Sequence, residues 1–110
     1  MSIDLSIQEI AERDIAVLKC SGFLEFNDRA AFLKGLEQLQ NNCRPRLVID
    51  LSAITGMSSL FIGSLIDFGG KAAAAGKAAS VLLPARVAEA CRSVGLDKVL
   101  TIVEVGKAQG

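Results

Sequence analysis

The chain has 110 residues, about half of them hydrophobic, and its 12 basic residues balance its 12 acidic residues. This size and composition are typical of one globular domain, here residues 1–110, and not of a disordered chain. Balanced charge argues against nucleic acid or an anionic membrane as the main partner. Because there is no long apolar run and no basic leader pattern, we expect no membrane insertion and a cytoplasmic location.

The first half of the chain predicts two strands, a helix and a third strand. Apolar residues alternate with polar ones from Ile3 to Ile7, and a denser apolar run covers 15–18 after a polar turn. A helix is predicted over 27–42, with Asn27 or Asp28 as its N-cap. The apolar run 46–52 does not alternate, which is typical of a strand covered on both faces.

The second half continues the alternation of helices and strands. The remaining predicted elements are a helix, a strand, a helix and a strand, at 58–69, 77–84, 85–95 and 97–105, with the stretch 71–77 as an alternative extension of the first of these helices. The order β-β-α-β-α-β-α-β predicts an α/β fold with a mostly parallel sheet and crossover helices. The first strand is expected to be antiparallel at one edge. A charge placed in the central strand, as in Val48→Asp, is therefore expected to unfold the domain.

The sequence carries few signs of catalysis. Histidine is absent, and no nucleophile elbow, phosphate-binding loop or dinucleotide-binding motif is present. Cys20, Cys43 and Cys91 form no CxxC pair, so we interpret them as buried, reduced, apolar residues. We predict that the protein is not an enzyme and has no catalytic residue, cofactor or metal site.

The junction between the third strand and the second helix is the best candidate for a functional site. Asp50 ends the apolar run, and Met57 or Ser58 is the predicted N-cap of the following helix. Capping alone explains the serines. The alternative is phosphorylation, because a phosphate on Ser58 or Ser59 would lie in the positive field of the helix N-terminus. We expect Met57, Leu60 and Phe61 to supply an apolar contact surface nearby.

Three stretches resemble a known family, the STAS domains typified by bacterial anti-sigma factor antagonists. They are "LKCSGFLEFNDRAAFLKGL", "RLVIDLSAITGMSSLFIGSLI" and "ASVLLPARVAEACRSVGLDKVLTIV". Together they cover nearly the whole chain, and the spacing of the last stretch is the most specific. The resemblance implies a mixed, mostly parallel sheet of four or five strands with helices mainly on one face.

The resemblance also implies a partner-switching regulator. An unmodified domain of this kind binds an anti-sigma factor or serine kinase, phosphorylation releases it, and a phosphatase resets it. The implied phospho-acceptor is Ser58, with Ser59 as second choice, and Glu25 stands where the family usually has Asp. Met57 replaces the family's Asp beside the acceptor, and Leu60 replaces a Gly.

Two other functions stay open. The first is a non-switching STAS subunit that docks on an ATPase of a transport complex, with Met57 and Leu60 as permanent contacts. The second, which we rank last, is a domain that binds a nucleotide or lipid at the same junction. The sequence leaves the oligomeric state open.

Overall fold

The computed structural model describes residues 4–105, in which five strands form one sheet and three α-helices connect them. The strands are β1 (Asp4–Ile10), β2 (Ile15–Leu24), β3 (Arg46–Met57), β4 (Ala78–Pro84) and β5 (Thr101–Val105). The helices are α1 (Arg29–Gln40), α2 (Ser59–Ala74) and α3 (Ala85–Ser93). This confirms the predicted order of strands and helices.

The sheet follows the order β1-β2-β3-β4-β5. Strands β2 to β5 are parallel to one another, and β1 is antiparallel to β2 at the edge, as predicted. Parallel strands require long crossovers, and the three helices supply them. The mixed, mostly parallel α/β sheet predicted from the sequence is thus confirmed.

One face of the sheet forms the core with the helices. Alternate residues of the central strands are fully buried on that face, including Leu18, Leu47, Ile49, Val81 and Leu83. The intervening residues lie on the opposite face and keep partial exposure. Val48 is one of these half-buried residues, so the prediction that it lies in the fully covered interior is wrong.

The helix predicted over 58–69 continues to Ala74, which confirms most of its alternative extension. Two other predicted boundaries differ from the structure for tertiary reasons. The predicted strand 46–52 continues to Met57, because β2 runs beside it as far as Leu24 and pairs with it. The predicted strand 97–105 begins only at Thr101, because residues 96–98 form a 3-10 turn after Gly95. Gly95 has a φ of 87°, which glycine adopts without steric strain.

The cysteines differ in their exposure. Cys20 and Cys91 are buried, as predicted, whereas Cys43 is exposed in the loop between α1 and β3. Burial, with a smaller contribution from the charge of Asp50, raises the pKa of Cys20 to about 12. Burial also raises the pKa of Cys91. These two thiols therefore stay protonated near neutral pH and act as apolar packing groups.

Candidate functional site

Ser58 is the N-cap of α2, at the end of β3. Its backbone is extended, with φ −73° and ψ 157°, and its Oγ accepts a hydrogen bond of 3.3 Å from the Leu60 N–H. Its carbonyl oxygen accepts a bond of 3.1 Å from the Phe61 N–H. The structure thus selects Ser58 over Met57 as the cap, and the hydroxyl satisfies one of the free N–H groups of the first turn.

The end of β2 holds this cap in place. The Ser58 N–H donates to the Leu24 carbonyl at 3.3 Å, and Leu24 pairs with Met57 in the strand register. Glu25, the residue after Leu24, is therefore close in the fold to Ser58 although 33 positions separate them in sequence. We call residues 23–28 and 56–61 together the Ser58 corner.

The side chains predicted for the site have different environments. Met57 and Ser58 are half-buried, and Ser59, Glu25 and Leu60 are exposed, with Leu60 at 49%. These five residues lie at the Ser58 corner.

Phe61 corrects the predicted contact surface, because its side chain is fully buried. Its ring packs edge-on against that of Phe32 in α1, with 5.2 Å between the ring centroids. Of the three apolar residues at the start of α2, Phe61 is fully buried, Ile62 is half-buried against the core, and Leu60 is exposed. Phe61 therefore anchors α2 to α1 and is not a surface contact in this structure.

Two exposed phenylalanines belong to the corner but were not predicted. Phe23 is 52% exposed and Phe26 is 69% exposed. The Phe23 ring lies over Gly56, where an added Cβ would be 2.7 Å from the ring atom Cε2. The only sequence signal was their position directly before and after "LE", where β2 ends and a 3-10 turn begins, in a stretch with no apolar periodicity. Together with Leu60 they make this corner apolar as well as hydroxyl-bearing.

Asp28 orders the turn at residues 25–28, which carries Phe26. It is the only buried charged side chain among residues 4–105, and its Oδ2 accepts a hydrogen bond of 2.9 Å from the Glu25 N–H. The sequence predicted a cap for α1 at Asn27 or Asp28. The structure makes Asp28 the N-cap by position, but its carboxylate bonds back to residue 25 and not to its own helix.

A cavity of about 280 Å³ lies elsewhere, between α1 and α2. It is lined by Leu33, Leu36, Glu37, Gln40, Ser64, Asp67, Phe68 and Lys71. No residue of the Ser58 corner lines it, so it gives no support to a small molecule bound at the corner. Within residues 4–105, no helix has both the length and the apolar composition that crossing a bilayer requires.

Comparison with known proteins identifies the fold. No protein-family model matches the chain. No curated protein matches its sequence either. A solved anti-sigma factor antagonist from Mycobacterium paratuberculosis superposes with a TM-score of 0.82 and 19% identity, over 97% of this chain and 89% of that one.

Both forms of the anti-sigma factor antagonist SpoIIAA are also similar in structure. The unphosphorylated form has a TM-score of 0.65 and 14% identity, over 96% of this chain and 91% of that one. The phosphorylated form, a Bacillus cell fate determinant, has a TM-score of 0.69 and 11% identity, over 96% and 95%. The chain therefore has the fold of the anti-sigma factor antagonists, which confirms its resemblance to STAS domains at the level of the fold.

Proposed function

We propose that the chain is a non-enzymatic protein-binding regulator that acts as an anti-sigma factor antagonist. It binds an anti-sigma factor or serine kinase through the Ser58 corner, and phosphorylation of Ser58 releases that partner until a phosphatase removes the phosphate. The observation that carries the proposal is the solvent-accessible Ser58 hydroxyl at the helix N-cap, in the same corner as the exposed apolar side chains of Phe26 and Leu60.

A phosphate at Ser58 is compatible with the fold. Phosphoryl oxygens would lie at the free N–H groups of the first turn of α2, where the helix dipole favours negative charge. The Ser58 backbone bond to Leu24 does not involve the hydroxyl, so modification leaves it intact. The change would instead add a charge of about −1.5 to −2 to an apolar contact surface, which disfavours a docked partner.

The residues that replace the family's motif affect which kind of partner surface the Ser58 corner can bind. Met57 leaves Ser58 without an adjacent carboxylate on β3, and Glu25 at the end of β2 is the acidic residue that the strand register brings to the corner. Leu60 adds exposed apolar area in place of a glycine. We therefore expect a partner with a more apolar docking site than the motif alone would require.

The experiment compares affinity-tagged wild type, Ser58→Ala, Ser58→Asp and Ser59→Asp expressed in the source organism. Mass spectrometry identifies the proteins that copurify and maps phosphate on the wild type. The proposal predicts phosphate on Ser58 and recovery of a sigma-pathway kinase by wild type and Ser58→Ala, with loss only in Ser58→Asp. Ser59→Asp is the matched control, because it adds the same charge one residue away, on an exposed side chain.

The exposed Leu60 and the half-buried Met57 also favour the second candidate, a non-switching subunit docked on a transport ATPase. Recovery of transporter components with no phosphate on Ser58 or Ser59 would support that function and refute the switch. Loss of the kinase from Ser58→Ala as well as Ser58→Asp would show that the hydroxyl itself is a contact.

A further inference from the structure

The face of the sheet opposite the helices carries an ordered pattern of side chains. The strand register places Val17 beside Val48 and, two residues further along, Lys19 beside Asp50. Asp50 in turn pairs with Leu82 of β4. We call the surface formed by these five residues the open face. Parallel sheets are almost always covered on both faces. Because none of the three helices within residues 4–105 covers this side, its half-buried valines are apolar surface without a packing layer.

We propose that a second copy of this chain covers the open face in a symmetric dimer. The two-fold axis runs parallel to the strands, above the boundary between β2 and β3. It places β2 of each subunit opposite β3 of the other. Val17 then lies against Val48 of the other copy, and Lys19 lies against the other copy's Asp50. The same operation keeps the strand directions aligned, as face-to-face sheet packing requires.

Charge complementarity favours a second copy over an unrelated protein. One cation and one anion, placed symmetrically about the axis, give two intermolecular ion pairs in the dimer. Neither Lys19 nor Asp50 takes part in the ion pairs found within residues 4–105. The chain has no net charge, so long-range repulsion does not oppose self-association.

The available area predicts a weak, reversible dimer. If four strands of each subunit, spaced about 4.8 Å apart, are covered over about 20 Å of their length, each subunit buries about 400 Å² and the dimer buries about 800 Å² in total. Specific stable interfaces usually exceed about 1,000 Å², so we expect dissociation in the micromolar range or weaker. The proposal is independent of the Ser58 corner, and failure of either leaves the other standing.

The test is sedimentation velocity of purified full-length protein from about 5 μM to about 1 mM. Wild type should rise from the 11.6 kDa monomer towards twice that mass. Lys19→Glu and Asp50→Lys each place like charges across the axis, so each alone should weaken dimerisation at least about tenfold. An equimolar mixture of the two variants should associate again, because every facing pair in the heterodimer is then opposite in charge.

Controls separate this interface from general effects. Lys34→Glu makes the same charge change on the exposed side of α1 and should dimerise as wild type does. Val17→Glu should also weaken the dimer, because it places a charge against the apolar Val48 of the other copy. Circular dichroism verifies that each variant is folded. A wild type that stays monomeric at 1 mM, or a mixture that does not associate although both variants fold, overturns the proposal.

Discussion

The two halves of β3 differ in what surrounds them. Residues 46–50 pair with β2 on one side and β4 on the other, and Leu47 and Ile49 are fully buried. Residues 53–57 extend beyond the pairing with β4 and pair only with β2, through a register that shifts twice. The first half is therefore a central strand of the sheet, whereas the second half is an edge segment that leads to Ser58. We expect substitutions in the second half to lower the free energy of unfolding less.

The largest expected effect is in the first half. Ile49→Asp should leave the protein unfolded, because it places an unpaired carboxylate in the dry core, at a cost well above the stability that most single substitutions remove. Val48→Asp is the matched variant. Its side chain faces the half-buried side of the sheet, so we expect it to fold with a free energy of unfolding about 1–2 kcal/mol lower.

Far-UV circular dichroism and urea denaturation measure both variants. The sequence alone assigned the unfolding effect to Val48, and the structure assigns it to Ile49, one residue further along. If Val48→Asp lost its secondary structure as completely as Ile49→Asp, the difference between the two faces of the sheet would be refuted.

The halves also differ in how far the sequence predicts them. The dense run "RLVID" is sufficient to predict a buried strand, since its composition favours a strand and Pro45 precedes it. "SAITGM" has neither alternation nor a dense apolar run. It is extended because β2 continues beside it as far as Leu24, which is a tertiary cause that no local pattern contains.

The Ser58 corner shows the same division. The N-cap was predictable because a serine directly before a helical apolar pattern is a local signal. The burial of Phe61 was not, because a run of three apolar residues leaves the helix phase undetermined until α1 is packed against it. Phe23 and Phe26 were missed because their exposure depends on tertiary structure, namely the irregular pairing of the end of β2 with β3 and the 3-10 turn that follows.

A smaller effect is expected at the cap that ends β3. Ser58→Ala removes the acceptor for the Leu60 N–H and should lower the free energy of unfolding by about 0.5–2 kcal/mol. Ser59→Ala, in the exposed first turn, is the matched control and should change it by less than about 0.5 kcal/mol. Urea denaturation of both variants checks the difference. Equal losses in the two variants would mean that the Ser58 hydroxyl contributes nothing as a cap.

The smallest effect is expected at Gly56, within the second half of β3. An added Cβ would be 2.7 Å from Cε2 of Phe23, but that ring is half-exposed and can turn aside. The backbone of Gly56 is not in the left-handed region, so alanine is not strained there. Because alanine also restricts the unfolded chain more than glycine does, Gly56→Ala should change the free energy of unfolding by no more than about 0.5 kcal/mol.

A double-mutant cycle with Phe23→Ala isolates the contact between the ring and Gly56. Without the ring, Gly56→Ala should stabilise the protein by about 0.4–1 kcal/mol, because only the effect on the unfolded chain remains. Suppose instead that Gly56→Ala lowered the free energy of unfolding by more than about 2 kcal/mol both with and without the Phe23 ring, a loss in the range expected for overpacking a tightly packed site. The constraint would then lie in the backbone and not in the ring. The second half of β3 would then be as rigid as the first, and the contrast between the two halves would fail.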